Sequence, residues 1–119
     1  NVTMAVSDEY RAYLEDQFDE FGPIQIRRMF GGLGIYRESV MFALVARDTV
    51  FLRTDARNRP AFEERGMPAF TYQHKNNKAP VAMPYSEIPG DVLEDPSELA
   101  LWARDAFDAA LRAKQAKAK

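Results

Sequence analysis

Hydrophobic positions change their spacing several times along this chain, and each change marks an element. From Ser7 onward, apolar residues fall at Tyr10, Tyr13, Leu14, Phe18 and Phe21. Steps of three and four place them on one side of a helix. Ser7 is an N-cap residue type, and Asp8 and Glu9 put negative charge at the positive end of the helix dipole. Gly22 and Pro23 supply the stop, a glycine that tolerates positive φ followed by a residue that cannot continue a helix. Glu15, Asp16, Asp19 and Glu20 occupy the other side.

From Ile24 the pattern changes. Ile24, Ile26, Met29 and Phe30 flank Arg27 and Arg28, and Gly31, Gly32 and Gly34 lead into Ile35 and Tyr36. Branched and aromatic residues bounded by glycines predict two short strands with a tight or bulged connection. Arg37-Glu38-Ser39 is a polar turn. Val40 to Ala46 is almost wholly apolar, which predicts a central strand buried on both faces. Arg47-Asp48 turns the chain into a further strand from Thr49 to Arg53, and turns this short require antiparallel neighbours. Thr54 or Asp55 is a cap type for a second helix. Pro60 is tolerated only in a first turn, which moves the start to Asn58, and Gly66 ends the helix. Residues 70–73 and 81–85 alternate like strands, joined by a polar loop from His74 to Lys78. Pro84 lacks an N–H, so the last strand is expected at an edge or a bulge.

The strongest local signal lies near the C-terminus. Asp95 is the N-cap, Pro96 stands at the first helical position, and Glu98 completes the spacing of a capping box. Leu99, Trp102, Ala103, Ala106, Phe107, Ala110 and Leu111 then form a broad apolar stripe, and Lys114, Lys117 and Lys119 bring cations to the negative end of the dipole. Residues 89–94 are expected to form a separate helical turn. The order condenses to α-βββ-α-ββ-α, an α+β domain with an antiparallel sheet packed against helices. Residues 1–119 read as one domain, with an ordered core over 7–112 and a basic Ala/Lys tail over 113–119.

Composition narrows the function classes. The 119 residues are 46% hydrophobic and 29% charged, with 16 basic and 18 acidic side chains and a net charge of −2. That excludes a disordered chain, a collagen-like chain and a histone-like polycation. There is no cysteine, so disulfides, thiolate catalysis and thiolate metal sites are excluded. No apolar run approaches the ~20 residues that span a bilayer, and no basic-then-apolar leader is visible.

The candidate chemistry is thin. The single histidine, His74, has no second histidine or cysteine at ligand spacing and reads as an exposed loop residue. Ser7, Ser39, Ser86 and Ser97 sit in cap or turn contexts, without the glycines of a nucleophile elbow. The acids at positions 15, 16, 19 and 20 lack the alternation of a calcium loop and read as a solvated helix face. Gly31-Gly32-Leu33-Gly34 lacks the Lys-Ser/Thr of a P-loop. Arg37 stands where a dinucleotide fingerprint needs its third glycine. A structural role for these glycines, close backbone approach or positive φ, is the preferred reading.

Charge distribution says more than total charge. Residues 1–23 carry −5, residues 24–85 carry +5 and residues 86–119 carry −2. Eight of the ten bases in the middle segment are arginines: Arg27, Arg28, Arg37, Arg47, Arg53, Arg57, Arg59 and Arg65. Arginine is the better residue for two-pronged contact with carboxylate or phosphate. The alternative is that this segment pairs with the chain's own acidic helices. Tyr36, Tyr72 and Tyr85 offer ring faces, although strand aromatics usually belong to a core. An isoelectric point near 5.4 argues against strong non-specific nucleic-acid binding.

The stretch Arg27-Arg28-Met29-Phe30-Gly31-Gly32-Leu33-Gly34-Ile35-Tyr36 resembles the signature of the TfoX (Sxy) N-terminal domain family. The likeness continues through Met41-Phe42-Ala43-Leu44-Val45, Val50-Phe51-Leu52-Arg53, Asn58-Arg59-Pro60-Ala61-Phe62, Phe70-Thr71-Tyr72 and Pro84-Tyr85. It covers about Tyr10 to Leu111. The resemblance implies a compact α+β domain, similar in layout to the secretion-chaperone-like fold, and a bacterial or archaeal cytoplasmic origin. Full-length members regulate natural competence, acting with a cyclic-AMP receptor protein at promoters of DNA-uptake genes, and carry a second, helical domain. This chain is similar to the stand-alone type. The family supplies no catalytic residues.

The expectation is therefore a non-enzymatic regulatory or interaction domain, without a cofactor, that binds another protein. Its candidate surface comprises Arg27, Arg28, Met29, Phe30, Gly31, Gly32, Gly34, Tyr36, Arg53 and Arg59, together with the sheet edge near Pro84. The alternatives are direct DNA contact through the arginine-rich segment and an enzyme built on carboxylates and arginines. Edge strands and an apolar terminal helix also allow a homodimer.

Overall fold

A computed structural model describes residues 7–29, 31–72 and 79–118 of the chain. Helix α1 spans Asp8–Gln17, and the Ser7 side chain accepts from the Tyr10 N–H at 3.1 Å, as the capping pattern predicts. The helix closes at Phe18 instead of running on to Gly22. Residues 18–21 form turns, and the Gly22 N–H, at φ +127°, donates to the carbonyls of Phe18 and Asp19. Phe18 and Phe21 therefore enter the core from a turn, not from the helix.

The meander that follows is β1 Gln25–Met29, β2 Gly32–Arg37, β3 Val40–Ala46 and β4 Thr49–Arg53, antiparallel throughout. These are the four strands that the residue pattern predicts, two about the glycine run and one each over 40–46 and 49–53, so the condensed order α-βββ-α-ββ-α is one strand short in its first group. The two later turns use non-glycine residues at positive φ, Glu38 with Ser39 and Arg47 with Asp48. Positive φ at both central residues matches the twist of a two-residue hairpin. Helix α2, Arg59–Glu63, starts after Asn58, with Pro60 in its first turn. Thr54 and Asp55 do not cap it. The Asn58 amide instead accepts from the Asp55 N–H and donates to the Arg53 carbonyl, bracing the exit from β4.

Strands β5 Ala69–Tyr72 and β6 Val81–Glu87 complete a six-stranded sheet ordered β1-β2-β3-β4-β6-β5. The expected edge position of Pro84 is corrected here: β6 lies between β4 and β5, and the edges are β1 and β5. The bulge half of that expectation holds. The β5–β6 register shifts between Ala69 and Thr71, opposite the Pro84 region, so the missing N–H falls in an irregular stretch. The Pro84 carbonyl still accepts from the Thr54 N–H at 2.9 Å.

Helix α3, Gly90–Leu93, is the extra turn expected over 89–94, and α4 spans Pro96–Ala118. Asp95 caps α4 by accepting from the N–H groups of Ser97 and Glu98. The stretch expected as a tail beyond residue 112 is helical to Ala118.

All four helices contribute to one core on a single side of the sheet. Leu14, Phe62, Val92, Leu99, Ala103, Ala106 and Phe107 meet Ile26, Leu33, Ile35, Ala43, Val45 and Leu52 there. A bulge sharpens this arrangement. Ile35 pairs with Ala43 and Tyr36 pairs with Met41, leaving Phe42 as the extra residue of β3. A bulge turns the side chain of the inserted residue, and Phe42 is sent into the helices. Its ring lies 5.9 Å from Phe18, 5.2 Å from Phe21 and 6.2 Å from Phe107. No helix among the described residues is long and apolar enough to cross a membrane.

Candidate functional site

With the helices gathered on one side, the other face of the sheet carries none of them. Strand side chains alternate between faces, so the ladder identifies its residues. Arg27 pairs with Gly34, Gly34 with Leu44, and Leu44 with Phe51; Arg53 pairs with Tyr85. Leu44 and Tyr85 are buried yet lie outside the core under the helices. They belong to a second, thinner apolar layer.

Two arginine–tyrosine pairs organise this face. The Arg27 guanidinium lies 5.0 Å from the centre of the Tyr36 ring, and that of Arg53 lies 5.6 Å from the centre of Tyr85. Each contact is worth about 0.5–1 kcal/mol where partly exposed, and it fixes the plane of the guanidinium. Burial pushes the Tyr85 hydroxyl above its ordinary pKa of 10.0, Arg53 pulls the other way, and the field of Tyr36 adds to the rise. Tyr85 is therefore a neutral hydroxyl at neutral pH. Gly34 lies beneath the thioethers of Met29 and Met41 and the edge of Tyr36, all within 3.0 Å of where a Cβ would stand. Phe51 and Phe70 meet edge to face at 5.0 Å. At the far end Tyr72, opposite Val81, and Met83 are exposed by 49%, 44% and 38%, which extends the apolar surface to the β5–β6 hairpin. Glu87, opposite Phe51, contributes a carboxylate to the same face.

The sequence-predicted surface residues separate. Arg27, Met29, Gly34, Tyr36 and Arg53 come together here. Arg28, one residue on, faces the helix side and pairs with Asp8 of α1 at 3.2 Å. Arg59 is exposed on α2. Gly31, at φ +79°, makes the turn into β2, and Gly32 lies against the β3 backbone. Phe30 and His74 fall outside the described residues. The β1 edge is blunted by α1, because Arg11 donates to the Ile26 carbonyl at 2.7 Å.

The remaining arginines do not form one basic patch. Arg37 crosses to the helix side, donates to the Phe21 carbonyl and lies 4.5 Å from that ring. Arg65 pairs with Asp91 at 2.8 Å. Arg112 grips Asp55 with two prongs, at 2.6 and 3.0 Å, tying α4 to the end of β4. That grip holds the Asp55 carboxyl at about 2, well below its ordinary value. Sequence reasoning missed this latch, because 57 residues separate its halves. It named Tyr85 as a ring face but did not join it to Arg53, a pairing that needs the β4–β6 register.

Among the described residues no three His, Asp or Glu side chains gather as a metal site. One shallow depression is lined by Pro23, Ile24 and Gln25 with residues 36–38, and another by Arg112, Gln115, Ala116 and Ala118. Neither brings a base, a nucleophile and an oxyanion-stabilising group together.

An α+β domain with helices on one side and an arginine–tyrosine sheet face on the other presents a surface rather than a pocket. Residues 16–110 match the TfoX N-terminal domain, and the chain belongs to that family. It is similar to the DNA transformation protein TfoX1 of Aliivibrio fischeri (strain ATCC 700601 / ES114), with 31% identity over 85 residues. That alignment covers 68% of this chain and 41% of the relative, so the chain spans less than half the relative's length.

Proposed function

We propose that this chain is a non-enzymatic, cytoplasmic domain that regulates competence by binding another protein, and that the helix-free face of the sheet is its contact surface. One observation carries the reading. The sheet leaves a face bearing two ring-backed arginines and an apolar strip uncovered by any described helix, while the opposite face is a complete core. Interface centres favour arginine, tyrosine and methionine in this way. Family membership and the transformation-protein relative supply the biological setting. Duplex DNA is the weaker partner, because Arg27 and Arg28 point to opposite sides and Arg65 and Arg112 are neutralised by aspartates.

The test is genetic. Deleting the gene in its own host lowers transformation frequency, and a copy carrying Arg27→Glu with Arg53→Glu fails to restore it, while Arg28→Glu restores it. Full restoration by the Arg27/Arg53 variant removes the face from the function.

A further inference from the structure

We propose that the helix-free face takes an acidic segment of the partner protein, laid across the strands so that its carboxylates meet Arg27 and Arg53. The inference rests on the reading above and adds the chemistry of the partner. The chain neutralises Arg28, Arg65 and Arg112 with Asp8, Asp91 and Asp55, yet no carboxylate lies within ion-pair distance of Arg27 or Arg53 among the described residues. The Nε of Arg53 is also buried and has no hydrogen-bond partner among the described residues. That enclosed Nε is out of a partner's reach, and it is the half-exposed remainder of Arg53 that a carboxylate, with two oxygens in one plane, would meet. Both forks are already held against tyrosine rings, so less rotamer freedom is lost on binding.

The register sets the spacing of the acids. Arg27 leans onto Tyr36, which pairs with Met41 of β3, and Arg53 of β4 pairs with Tyr85, so the two arginine–tyrosine pairs lie on one face with β3 between them. Strands β1 and β4 are three places apart, about 14 Å at the usual strand spacing. A helix covers that distance in about nine residues. Met41, half-buried on β3, lies between the arginines, so the segment needs apolar residues between its acids. Single-stranded nucleic acid fits less well. The rings of Tyr36 and Tyr85 are already covered by arginine, and base stacking needs open ring faces.

Fluorescence anisotropy with the whole chain tests this. One probe is a labelled 16-residue peptide with glutamate pairs nine residues apart and leucines between them. Its controls are the same peptide with lysine for glutamate, and a 16-nucleotide thymidine strand. The acidic peptide saturates, and Arg27→Ala weakens it about tenfold. Arg28→Ala, on the other side of the sheet, leaves it unchanged. Arg53→Lys keeps the charge without the fork and weakens it by less than Arg53→Ala, with thermal melts confirming that both variants fold. Equal binding of the lysine peptide overturns the inference, as does an equal loss with Arg28→Ala or tighter, Arg27-dependent binding of the thymidine strand. If the acidic peptide fails while Arg27→Glu with Arg53→Glu still abolishes transformation, the acidic chemistry is wrong and the face remains. If both fail, the proposed function falls with it.

Discussion

Replacing Gly32 by alanine tests how closely β2 and β3 approach beneath the glycine run. A Cβ at Gly32 would stand 2.1 Å from the Val45 carbonyl oxygen. Carbon and oxygen in contact sit at about 3.3 Å, so the backbones must part by more than 1 Å beside the Leu33–Val45 pair. Gly32 has no positive φ, so the cost is one of space and not of conformation. Overpacking a core costs about 1–3 kcal/mol, and a rigid carbonyl puts this site at the top, about 3 kcal/mol. For a domain of this size that lowers Tm by about 12 °C. Gly34→Ala is the internal control. Its nearest neighbours are the sulfurs of Met29 and Met41 and the edge of Tyr36, at 2.8–3.0 Å. Thioether ends move cheaply, so the loss is about 1 kcal/mol. Calorimetry and urea unfolding read both. A Gly32→Ala protein melting within about 3 °C of the parent, or a Gly34→Ala protein losing as much, would refute the close approach.

Phe42→Ala removes the bulge-directed ring that touches three other phenylalanines, and urea unfolding is expected to show a loss of about 4 kcal/mol. Arg112→Ala releases Asp55, whose folded pKa of about 2 lies below its ordinary 3.8. The folded chain takes up that proton less readily than the unfolded one, so the pair stabilises fully above roughly pH 5 and loses its effect as pH falls toward 2. Its worth is about 1–2 kcal/mol after allowance for partial exposure, and Arg112→Ala should flatten the acid limb of stability measured across that window. Arg28→Ala breaks an exposed ion pair with Asp8 and should cost less than about 0.5 kcal/mol in chemical denaturation.

What was legible in the sequence was local. The Asp95 cap of α4 and the Ser7 cap of α1 depend on residues two or three apart, and both formed as read. The all-apolar run of β3 announced burial on both faces. The misplacement of β6 has a topological cause. Pro84 reports only a missing donor, whereas β6 pairs with β4 across an intervening helix and strand. The glycine-rich stretch parted β1 from β2 as its pattern predicts. The functional face was half legible. Arg27 and Tyr36 lie within one motif, but Arg27 and Arg28 look alike in a linear pattern and are sent to opposite sides by the pleat. The partnership of Arg53 with Tyr85 and the turning of Phe42 by a bulge are properties of register, which no local signal carries.

The methionines measure the central claim directly. Met29 and Met41 lie over Gly34 on the helix-free face, whereas Met67 packs against the core on the helix side. With carbon-13 methyl-labelled methionine, extract of the native host should broaden the Met29 and Met41 signals. It should leave Met67 sharp, and Arg53→Glu should reverse the change. Broadening of Met67 alone, or Met29 and Met41 signals untouched by the extract, would contradict a contact surface on that face.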